Sequence, residues 1–300
     1  MYDALVKVQQ AAGGDSKIMI TVSENLFNVP DAAAAMRDYA GQGYDIVIAH
    51  GTQYGASMFE VAKDFPDVTF AWGTATDTGA SQGLTNIFAY EARAEEGGYV
   101  NGVMAAMLTK SGIVGVVGPI PAGDAKLYID GFIAGAKSTG KLKADITPIY
   151  TQSFGDTAKA AEAAKTLISQ GADVLTGSAQ QVPGAITEIQ KVHGYWFGTQ
   201  SDQTGGWADT VVASQVFDWT GTLDQIIANR LAGKLGGEAY TISLQNGGEK
   251  IVFNPKITIP DDVKKAAQDA TDKIISGAIL VPGNPALATP AATMAATVAK

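Results

Sequence analysis

Short apolar runs alternate with amphipathic stretches, many of them rich in alanine, along most of the chain. An apolar run bounded by turn residues is typical of a buried strand, and apolar positions three and four residues apart are typical of a helix. The pattern predicts strands at 17–23, 45–49, 68–72, 87–90, 112–118, 145–150, 173–176, 195–198 and 211–214. It predicts helices at 2–12, 28–39, 57–65, 95–110, 222–235 and 263–276, with two more that end near Gly135 and Gln170.

Three local signals add to this pattern. Gly98 and Gly102 on the predicted helix 95–110 indicate that it packs tightly on a sheet. The Asn246-Gly247-Gly248 sequence is typical of a hairpin turn. Residues 283–300 are rich in alanine, threonine and proline, and we expect them to be disordered.

Two stretches of the chain resemble each other. Residues 27–49 and 154–177 each contain a phenylalanine, an alanine-rich helix, a Gln-Gly stop and an apolar strand opened by Asp. After another helix, each is followed by a strand that ends in Gly-Thr, at 73–74 and at 198–199. This repetition predicts two similar α/β lobes. Small ligands bind in clefts between such lobes.

The start of the chain does not fit a complete lobe. A doubly wound lobe normally opens with a strand, whereas no strand precedes the predicted helix at 2–12. No signal-peptide pattern is present either. Either the protein is cytoplasmic, or the chain begins downstream of its true start, and the missing strand favours the second explanation.

Composition narrows the class of protein. The length of 300 residues favours two domains, and 46% hydrophobic with 17% charged residues is typical of a globular protein. The net charge of −9, with arginine only at 37, 93 and 230, disfavours nucleic-acid and anionic-membrane partners. Because cysteine is absent and only two histidines occur, we expect no metal site.

No constellation of residues points to catalysis. Neither histidine lies in a triad signature, and no G-x-S-x-G elbow is present. The glycine-rich segment 115–123 lacks the Lys-Ser/Thr of a P-loop. Glu95 and Glu96 lie side by side on a predicted helix, where a solvated face is the expected role. The sequence therefore predicts no catalytic residues and no cofactor.

Polar and aromatic side chains follow the carboxyl ends of the predicted strands, where open α/β sheets bind ligands. The candidate ligand-binding residues are Asn25, Phe27, His50, Gln53, Tyr54, Trp72, Thr74, Asp124, Lys126, Gln180, Gln181, Gln200, Asp202, Phe217 and Trp219. Aromatic faces stack on flat rings, and amides pair with ring nitrogens and sugar hydroxyls. Any one of these side chains, Trp72 and Phe217 included, could instead be a packing residue.

The arginines narrow the class of ligand. All three lie on predicted helices, whereas carboxylate and phosphate ligands are usually held by bidentate arginine. Amino acids, organic acids and nucleotides are therefore disfavoured. A neutral planar or sugar-bearing ligand remains.

Five ordered segments carry a resemblance to a known family. They are Phe59–Phe70, Gly97–Gly118, Tyr128–Lys137, Gly198–Gln203 and Ile274–Pro282. Through them the chain resembles the basic membrane protein family, the purine-nucleoside-receptor-like substrate-binding proteins of ABC transporters. The resemblance implies a two-lobed α/β fold of the type I periplasmic-binding-protein (Venus-flytrap) class, with parallel sheets flanked by helices and three hinge crossovers. It also implies export from the cytoplasm and nucleoside-like ligands.

The resemblance gives expected domain boundaries and partners. We expect residues 1–109 and 212–236 to form the N-terminal lobe, without its first strand, and residues 110–211 and 237–282 to form the C-terminal lobe. The expected partners are a small-molecule ligand and a membrane permease. The expected location is periplasmic, or membrane-anchored outside the cytoplasm, and the expected state is a monomer.

The sequence departs from the family pattern at strand ends. Gln200 stands where the family has an acid, although Asp202 is retained. Pro121 stands where another acid is expected, with an acid three residues later. Phe217 replaces a common lysine, and Thr176 replaces a common aromatic residue. Loss of charged contacts and gain of aromatic surface are expected to shift ligand selectivity.

These observations define one expected function and leave alternatives open. The expected protein is the solute-binding component of an ABC importer. It closes its lobes on a small planar ligand, with a purine nucleoside or nucleobase expected, stacked on Trp72, Phe217 or Trp219. The alternatives are a ligand-sensing subunit of a signalling receptor, a binding protein for another ring compound or a sugar, and a sugar- or nucleoside-processing enzyme.

Overall fold

A computed structural model describes residues 1–283 of the chain, so almost all of the tail 283–300 lies outside the described residues. The helices are α1 Tyr2–Ala12, α2 Val29–Gly41, α3 Gly55–Asp64, α4 Ala94–Leu108, α5 Gly123–Ser138, α6 Thr157–Ser169, α7 Val182–Lys191, α8 Thr220–Leu231 and α9 Asp261–Ile275. The strands are β1 Ile46–His50, β2 Thr69–Gly73, β3 Ile87–Ala92, β4 Val114–Gly118, β5 Ile149–Tyr150, β6 Val174–Gly177, β7 Tyr195–Gly198, β8 Val211–Phe217, β9 Ala239–Ile242 and β10 Glu249–Phe253. Across this range no helix has both the length and the apolar character needed to cross a membrane.

The strands form two sheets, one in each lobe. The first sheet has the order β1-β2-β3-β9, and all of its strands are parallel. The second has the order β10-β8-β7-β6-β4-β5, and only β10 runs antiparallel to its neighbour. Within residues 1–283 the chain therefore crosses between the lobes three times, after β3, after β8 and after β9. The predicted two-lobed α/β fold is confirmed.

Three elements lie in the other lobe from the one expected. Helix α4 was expected in the N-terminal lobe but packs on α5 and α9 of the second lobe. Strand β8 lies in the second sheet and β9 in the first, the reverse of the expected assignment. The physical reason is that each crossover lies at a strand end. The chain leaves the first sheet at Arg93, directly after β3. Helix α4 comes after this crossover and therefore belongs to the second lobe.

The predicted hairpin at Asn246-Gly247-Gly248 is wrong, although the turn itself forms. The Asn246 side-chain oxygen accepts hydrogen bonds from the backbone N–H groups of Ser243, at 2.9 Å, and of Gly248, at 3.1 Å. The strands on either side, β9 and β10, belong to different sheets. Turn chemistry dictates that the chain bends, but not which strands the two arms join.

The predicted strand at 17–23 is also wrong. These residues belong to neither sheet, and side chains hold them in place. The Gln9 amide donates to the Ile18 carbonyl at 2.7 Å, and Ser23 and Tyr39 share a hydroxyl hydrogen bond of 2.5 Å. A cavity separates this segment from the outer edge of β1. Residues 17–23 favour β structure, but no strand in the described part of the chain lies close enough to form backbone hydrogen bonds with them.

Helices α4 and α5 cross at backbone contact. A Cβ added to Gly102 would lie 2.0 Å from the Phe132 carbonyl oxygen, and one added to Gly131 would lie 2.1 Å from the Glu95 carbonyl oxygen. Gly98 and Gly135 are equally crowded by the partner helix. The small residues of α4 were expected to pack on a sheet, but they pack on a helix, and the crossing requires glycine on both sides.

The main hydrophobic core continues through both lobes at this crossing. It includes Phe88 of the first sheet, Phe132 of α5 and Phe197 of the second sheet, all fully buried. A smaller cluster around Phe70 lies beneath α2 and α3, and another around Trp196 lies beneath α6 and α7. The cores fix both sheets so that the carboxyl ends of their parallel strands face one cleft.

Candidate ligand-binding site

A cavity of about 1190 Å³ lies between the lobes and continues along the outer edge of β1. Loops that follow strands of both sheets line it, as does the crossover after β8. The predicted site residues that line it are Asn25, Phe27, His50, Gln53, Tyr54, Thr74, Asp124, Gln180, Gln200, Phe217 and Trp219. The structure thus brings together most of the predicted set from both lobes.

The lobes also touch each other beside the cavity. The Phe27 ring lies so close to Gly155 that an added Cβ would be 2.8 Å from it. A Cβ on Gly123 would lie 2.0 Å from the Thr52 hydroxyl oxygen. Loops from the first lobe therefore meet loops from the second on two sides, which describes a closed arrangement.

Trp72 and Lys126 do not line the cavity. The Trp72 indole N–H donates to the Gly51 carbonyl at 3.0 Å, and its ring packs edge-on against Phe59 at a centroid distance of 5.4 Å. The Lys126 ammonium pairs with Asp130 one helical turn along α5. Trp72 thus packs beneath α3, and Lys126 forms an ion pair on its own helix.

Gln181 and Asp202 also lie outside the lining. Gln181 is fully buried; its side-chain oxygen accepts from the Thr151 hydroxyl at 2.6 Å, and its backbone N–H donates to Phe154 at 2.9 Å. It therefore ties together the loops after β5 and β6, behind the cavity. The Asp202 carboxylate caps a local turn, accepting from the Thr204 N–H at 2.9 Å.

Small hydroxyl side chains that the sequence pattern did not single out also line the cavity. Thr21 and Ser23 line the extension along β1, and Thr52, Ser178 and Ser201 line the cavity in the loops that follow β1, β6 and β7. Serine and threonine are common in turns, so their residue type carries no functional signal. For Thr52, Ser178 and Ser201, the position in the loops after β1, β6 and β7 is the one signal by which they could have been found.

Four aromatic rings form a wall at the crossover after β8. The His50 and Tyr90 rings stack at a centroid distance of 5.7 Å and an interplanar angle of 12°. Trp219 packs edge-on against Tyr90 at 5.1 Å, against Phe217 at 5.7 Å and against His50 at 5.8 Å. Because His50, Phe217 and Trp219 line the cavity, this wall offers aromatic surface to a flat ligand.

Several cavity residues adopt a left-handed backbone. The φ angles of Asn25, Thr74, Ala179 and Gln200 are +61°, +63°, +73° and +72°. This conformation is energetically unfavourable for L-residues other than Asn and Asp, and most unfavourable for a β-branched residue such as Thr74. Such strain collects at binding loops, where the surrounding structure holds it in place. The left-handed residues are therefore consistent with loops that bind a ligand as well as connect strands and helices.

Three lining residues have buried polar atoms without a protein partner. Among residues 1–283, the side-chain oxygen of Gln53, the hydroxyl oxygen of Ser178 and both carboxyl oxygens of Asp124 make no hydrogen bond. An unsatisfied buried polar atom is costly, and native structures contain few. A ligand that enters the closed cleft would therefore meet three polar groups that lack a hydrogen-bond partner.

A group of buried carboxyls lies where β3 crosses into α4. Glu95 and Glu96 are both buried, so the predicted solvated face is wrong. The reason is that α5, β10 and the turn after β9 cover the first turn of α4. The Arg93 Nε lies 2.9 Å from Glu96 and 3.6 Å from Glu95, and burial raises the pKa of Glu95 to about 7.

Asp124 is a further member of this cluster of buried acidic side chains, and it also lines the cavity. It is almost fully buried, and burial raises its pKa well above the ordinary value. The negative charges of Glu91 and Glu95 add to this effect. Burial therefore favours the uncharged form of the Asp124 carboxyl.

A buried hydrogen-bond network ties the three crossovers together. The Glu249 carboxylate accepts from the Gly97 N–H at 2.7 Å and from the Gln215 amide, which also donates to the Ala94 carbonyl at 2.9 Å. The Glu96 carboxylate accepts from the Leu244 N–H at 3.0 Å. Residues that follow β3 and β9 thus share one polar centre with residues of β8 and β10. No group of three or more histidine, aspartate or glutamate side chains in residues 1–283 is placed to hold a metal ion.

Comparison with known proteins places this architecture in a family. Residues 1–285 match the family model of PnrA-like ABC transporter substrate-binding proteins. The chain is 32% identical to a purine-binding protein of Brucella abortus over 92% of its own length and 76% of that protein. It is 29% identical to the nucleoside-binding protein BmpA of an ABC transporter from Lactococcus lactis, over 80% of this chain and 72% of that one.

A solved structure shares the fold. The solute-binding protein of an ABC transporter system from Conexibacter woesei superposes with a TM-score of 0.70 at 22% identity, over 94% of this chain and 92% of that chain. The type I periplasmic-binding-protein fold and the resemblance to the basic membrane protein family are both confirmed. The chain belongs to the family of PnrA-like ABC transporter substrate-binding proteins, which is a family of solute-binding proteins.

Proposed function

We propose that this protein captures a neutral planar ligand, a purine nucleoside or nucleobase, in the interlobe cleft and delivers it to the permease of an ABC importer outside the cytoplasm. The observation that carries the proposal is the cavity itself, which both lobes line and which holds the aromatic wall of His50, Phe217 and Trp219. The names of the relatives from Brucella abortus and Lactococcus lactis support the purine and nucleoside class.

The electrostatics of the cleft favour a ligand without charge. The lysine and arginine that line the cavity, Lys17 and Arg230, belong to its extension along β1, and Arg230 pairs with Asp45 at 3.2 Å. In the cleft, burial raises the pKa of Asp124 and so favours its uncharged form. Among residues 1–283, an anionic ligand would meet no lysine or arginine side chain there, and a buried charge without a partner is expensive.

Capture requires the lobes to open and close about the three crossovers. Ligand contacts that exist only in the closed form shift the protein toward that form. The contacts of Phe27 with Gly155 and of Thr52 with Gly123 close two sides of the cleft. A permease that recognises both lobes in this arrangement would distinguish loaded from empty protein.

The test is a thermal-shift and calorimetric screen of nucleosides, nucleobases, riboflavin, sugars and amino acids. A ligand at a hundred times its Kd adds about 2.7 kcal/mol of stability, which corresponds to a rise in Tm of roughly 5 °C or more. We expect purine nucleosides or bases to give this shift. A shift that appears only with sugars or amino acids would contradict the proposed ligand class.

A pair of matched variants locates the site. Phe217→Ala removes an aromatic face from the cavity wall, and we expect it to weaken binding of the responding compound at least about tenfold. Phe253→Ala is the control, because Phe253 is exposed and lies in the neighbouring strand β10, outside the cavity lining. Equal affinities for the two variants would place the ligand elsewhere.

A further inference from the structure

One row of residues across the first sheet joins two cleft side chains. His50 at the end of β1 is the register partner of Gly73 on β2, and Gly73 is the register partner of Tyr90 on β3. His50 and Tyr90 are therefore two strands apart, about twice 4.8 Å. Their side chains meet over Gly73, where an added Cβ would lie 2.4 Å from His50 Nδ1 and 2.5 Å from Tyr90 Oη.

The two side chains share a hydrogen bond of 3.1 Å between His50 Nδ1 and Tyr90 Oη. Its direction follows from what surrounds the phenol. Tyr90 is fully buried, and its hydroxyl has no other hydrogen-bond partner among residues 1–283. If Nδ1 carried the proton, the phenolic O–H would be buried without an acceptor, which is the costly arrangement. The Tyr90 hydroxyl therefore donates to Nδ1.

The protonation states are consistent with this direction. Burial raises the pKa of Tyr90 well above 10, so the phenol keeps its proton. Burial among protein atoms lowers the pKa of His50, and the nearby chain amino group acts in the same sense. His50 keeps accessible surface where it borders the cavity. The imidazole is neutral at pH 7 and carries one proton.

We propose that Tyr90 holds His50 as the Nε2–H tautomer, so that Nε2 donates a hydrogen bond to an acceptor atom of the ligand in the cleft. The acceptor is a ring nitrogen or a carbonyl oxygen on the edge of a planar ring. Within residues 1–283 Nε2 has no protein partner, and His50 lines the cavity. Tyr90 is a positioning residue that acts through His50, and the ligand class rests on the proposed function.

The orientation can be tested without any ligand by nitrogen-15 NMR of the histidine rings. The chain has two histidines, so His193→Gln, a change at an exposed position, leaves His50 as the one imidazole observed. We expect an unprotonated, hydrogen-bonded Nδ1 and a protonated Nε2. In Tyr90→Phe, which keeps the ring, we expect the hydrogen-bond shift of Nδ1 to vanish and both tautomers to appear. A protonated Nδ1 in the parent, or an unchanged Nδ1 shift in Tyr90→Phe, would overturn the proposal.

The ligand contact is tested by calorimetry with adenosine and guanosine as probes. His50→Phe keeps a flat ring but has no donor, and we expect it to bind the responding nucleoside roughly tenfold more weakly. His50→Gln keeps a side-chain N–H and should lose less. Equal affinity of His50→Phe and the parent would refute the contact while leaving the proposed function intact. Failure of both nucleosides to bind the parent would overturn the proposed ligand class, and the ligand-free NMR measurement would still decide the role of Tyr90.

Discussion

The buried carboxyl of Glu95 makes the stability of the protein depend on pH in a direction opposite to that of most acids. Its side chain is fully buried, and among residues 1–283 neither carboxyl oxygen is hydrogen-bonded. Burial raises the pKa of Glu95 from its ordinary value of 4.5 to about 7. The folded protein therefore holds this proton more tightly than the unfolded chain does. The resulting stability is fully present below about pH 4.5 and is lost as the pH rises through 7.

The size of the effect follows from the pKa difference. Each pKa unit corresponds to about 1.4 kcal/mol, so this group costs the folded state about 3 kcal/mol between pH 4.5 and pH 8. Glu95→Gln keeps the shape and carries no charge at any pH. We expect the variant to match the parent near pH 4.5 and to have a free energy of unfolding about 3 kcal/mol higher at pH 8.

The assay is urea unfolding of parent and variant at pH 4.5, 6, 7 and 8. Glu162→Gln, on the exposed face of α6, is the control for loss of one carboxylate at the surface. The quantity to compare is the difference in the free energy of unfolding between variant and parent at each pH. A difference that does not change with pH, or that matches the control, would refute the reasoning.

Three further variants test other parts of the structure. Gly102→Ala would place a Cβ against the Phe132 carbonyl and should destabilise the protein by about 3 kcal/mol, whereas Gly221→Ala, with no atom within 4 Å, should be neutral or stabilising in the same unfolding assay. Gln200→Gly should release about 1 kcal/mol of backbone strain yet weaken ligand binding; higher affinity would be the contrary result. Burial alone would raise the pKa of Asp173, but its hydrogen bonds, the first of them from the Thr109 hydroxyl, lower it below the ordinary value. Asp173→Asn should therefore cost about 1–2 kcal/mol at pH 7, and unfolding at pH 3 should show a smaller cost, because the carboxylate's advantage is lost as the pH falls through its pKa.

The hydrophobic pattern predicts a helix or strand well where the spacing of its apolar residues matches the positions that are buried in the structure. The helix Tyr2–Ala12 and the strand Tyr195–Gly198 have the predicted bounds, because each has a clear apolar stripe or run closed by glycine. The predicted strand at 17–23 is equally β-prone but pairs with nothing. A segment forms a strand only if another strand pairs with it, and the local sequence does not show whether such a partner strand lies beside it. The hairpin prediction at Asn246 failed for the same reason, since its two arms join different sheets.

Prediction of the cavity residues rested on topology rather than on residue type. The position after a parallel strand placed Thr74 and Gln200 at the cleft, where the structure has them. Trp72 lies inside its strand, and only the packing of α3 over that face determines that its ring turns away from the cleft. Glu95 was predicted to be solvated because charged residues in the first turn of a helix are usually exposed to solvent. The glycines that bring α5 against this turn are the signal that could have shown its burial.

The polar network at the crossovers indicates where the lobes can bend. Glu249 links Gly97 of α4 to Gln215 of β8, so the crossover segments are joined on the side of the second lobe. Breaking these buried bonds would leave a carboxyl unpaired in a low-dielectric site, which is too costly for a routine motion. On the first-lobe side, the Arg93 N–H donates to the Ile242 carbonyl at 2.9 Å, which couples the crossovers after β3 and β9. We infer that rotation between the lobes takes place at the few backbone dihedrals next to Arg93, Asp218 and Ser243. Because Trp219 lies at the second of these points and lines the cavity, we expect the proposed opening of the lobes to move the aromatic wall, and ligand binding at that wall to bias the hinge in turn.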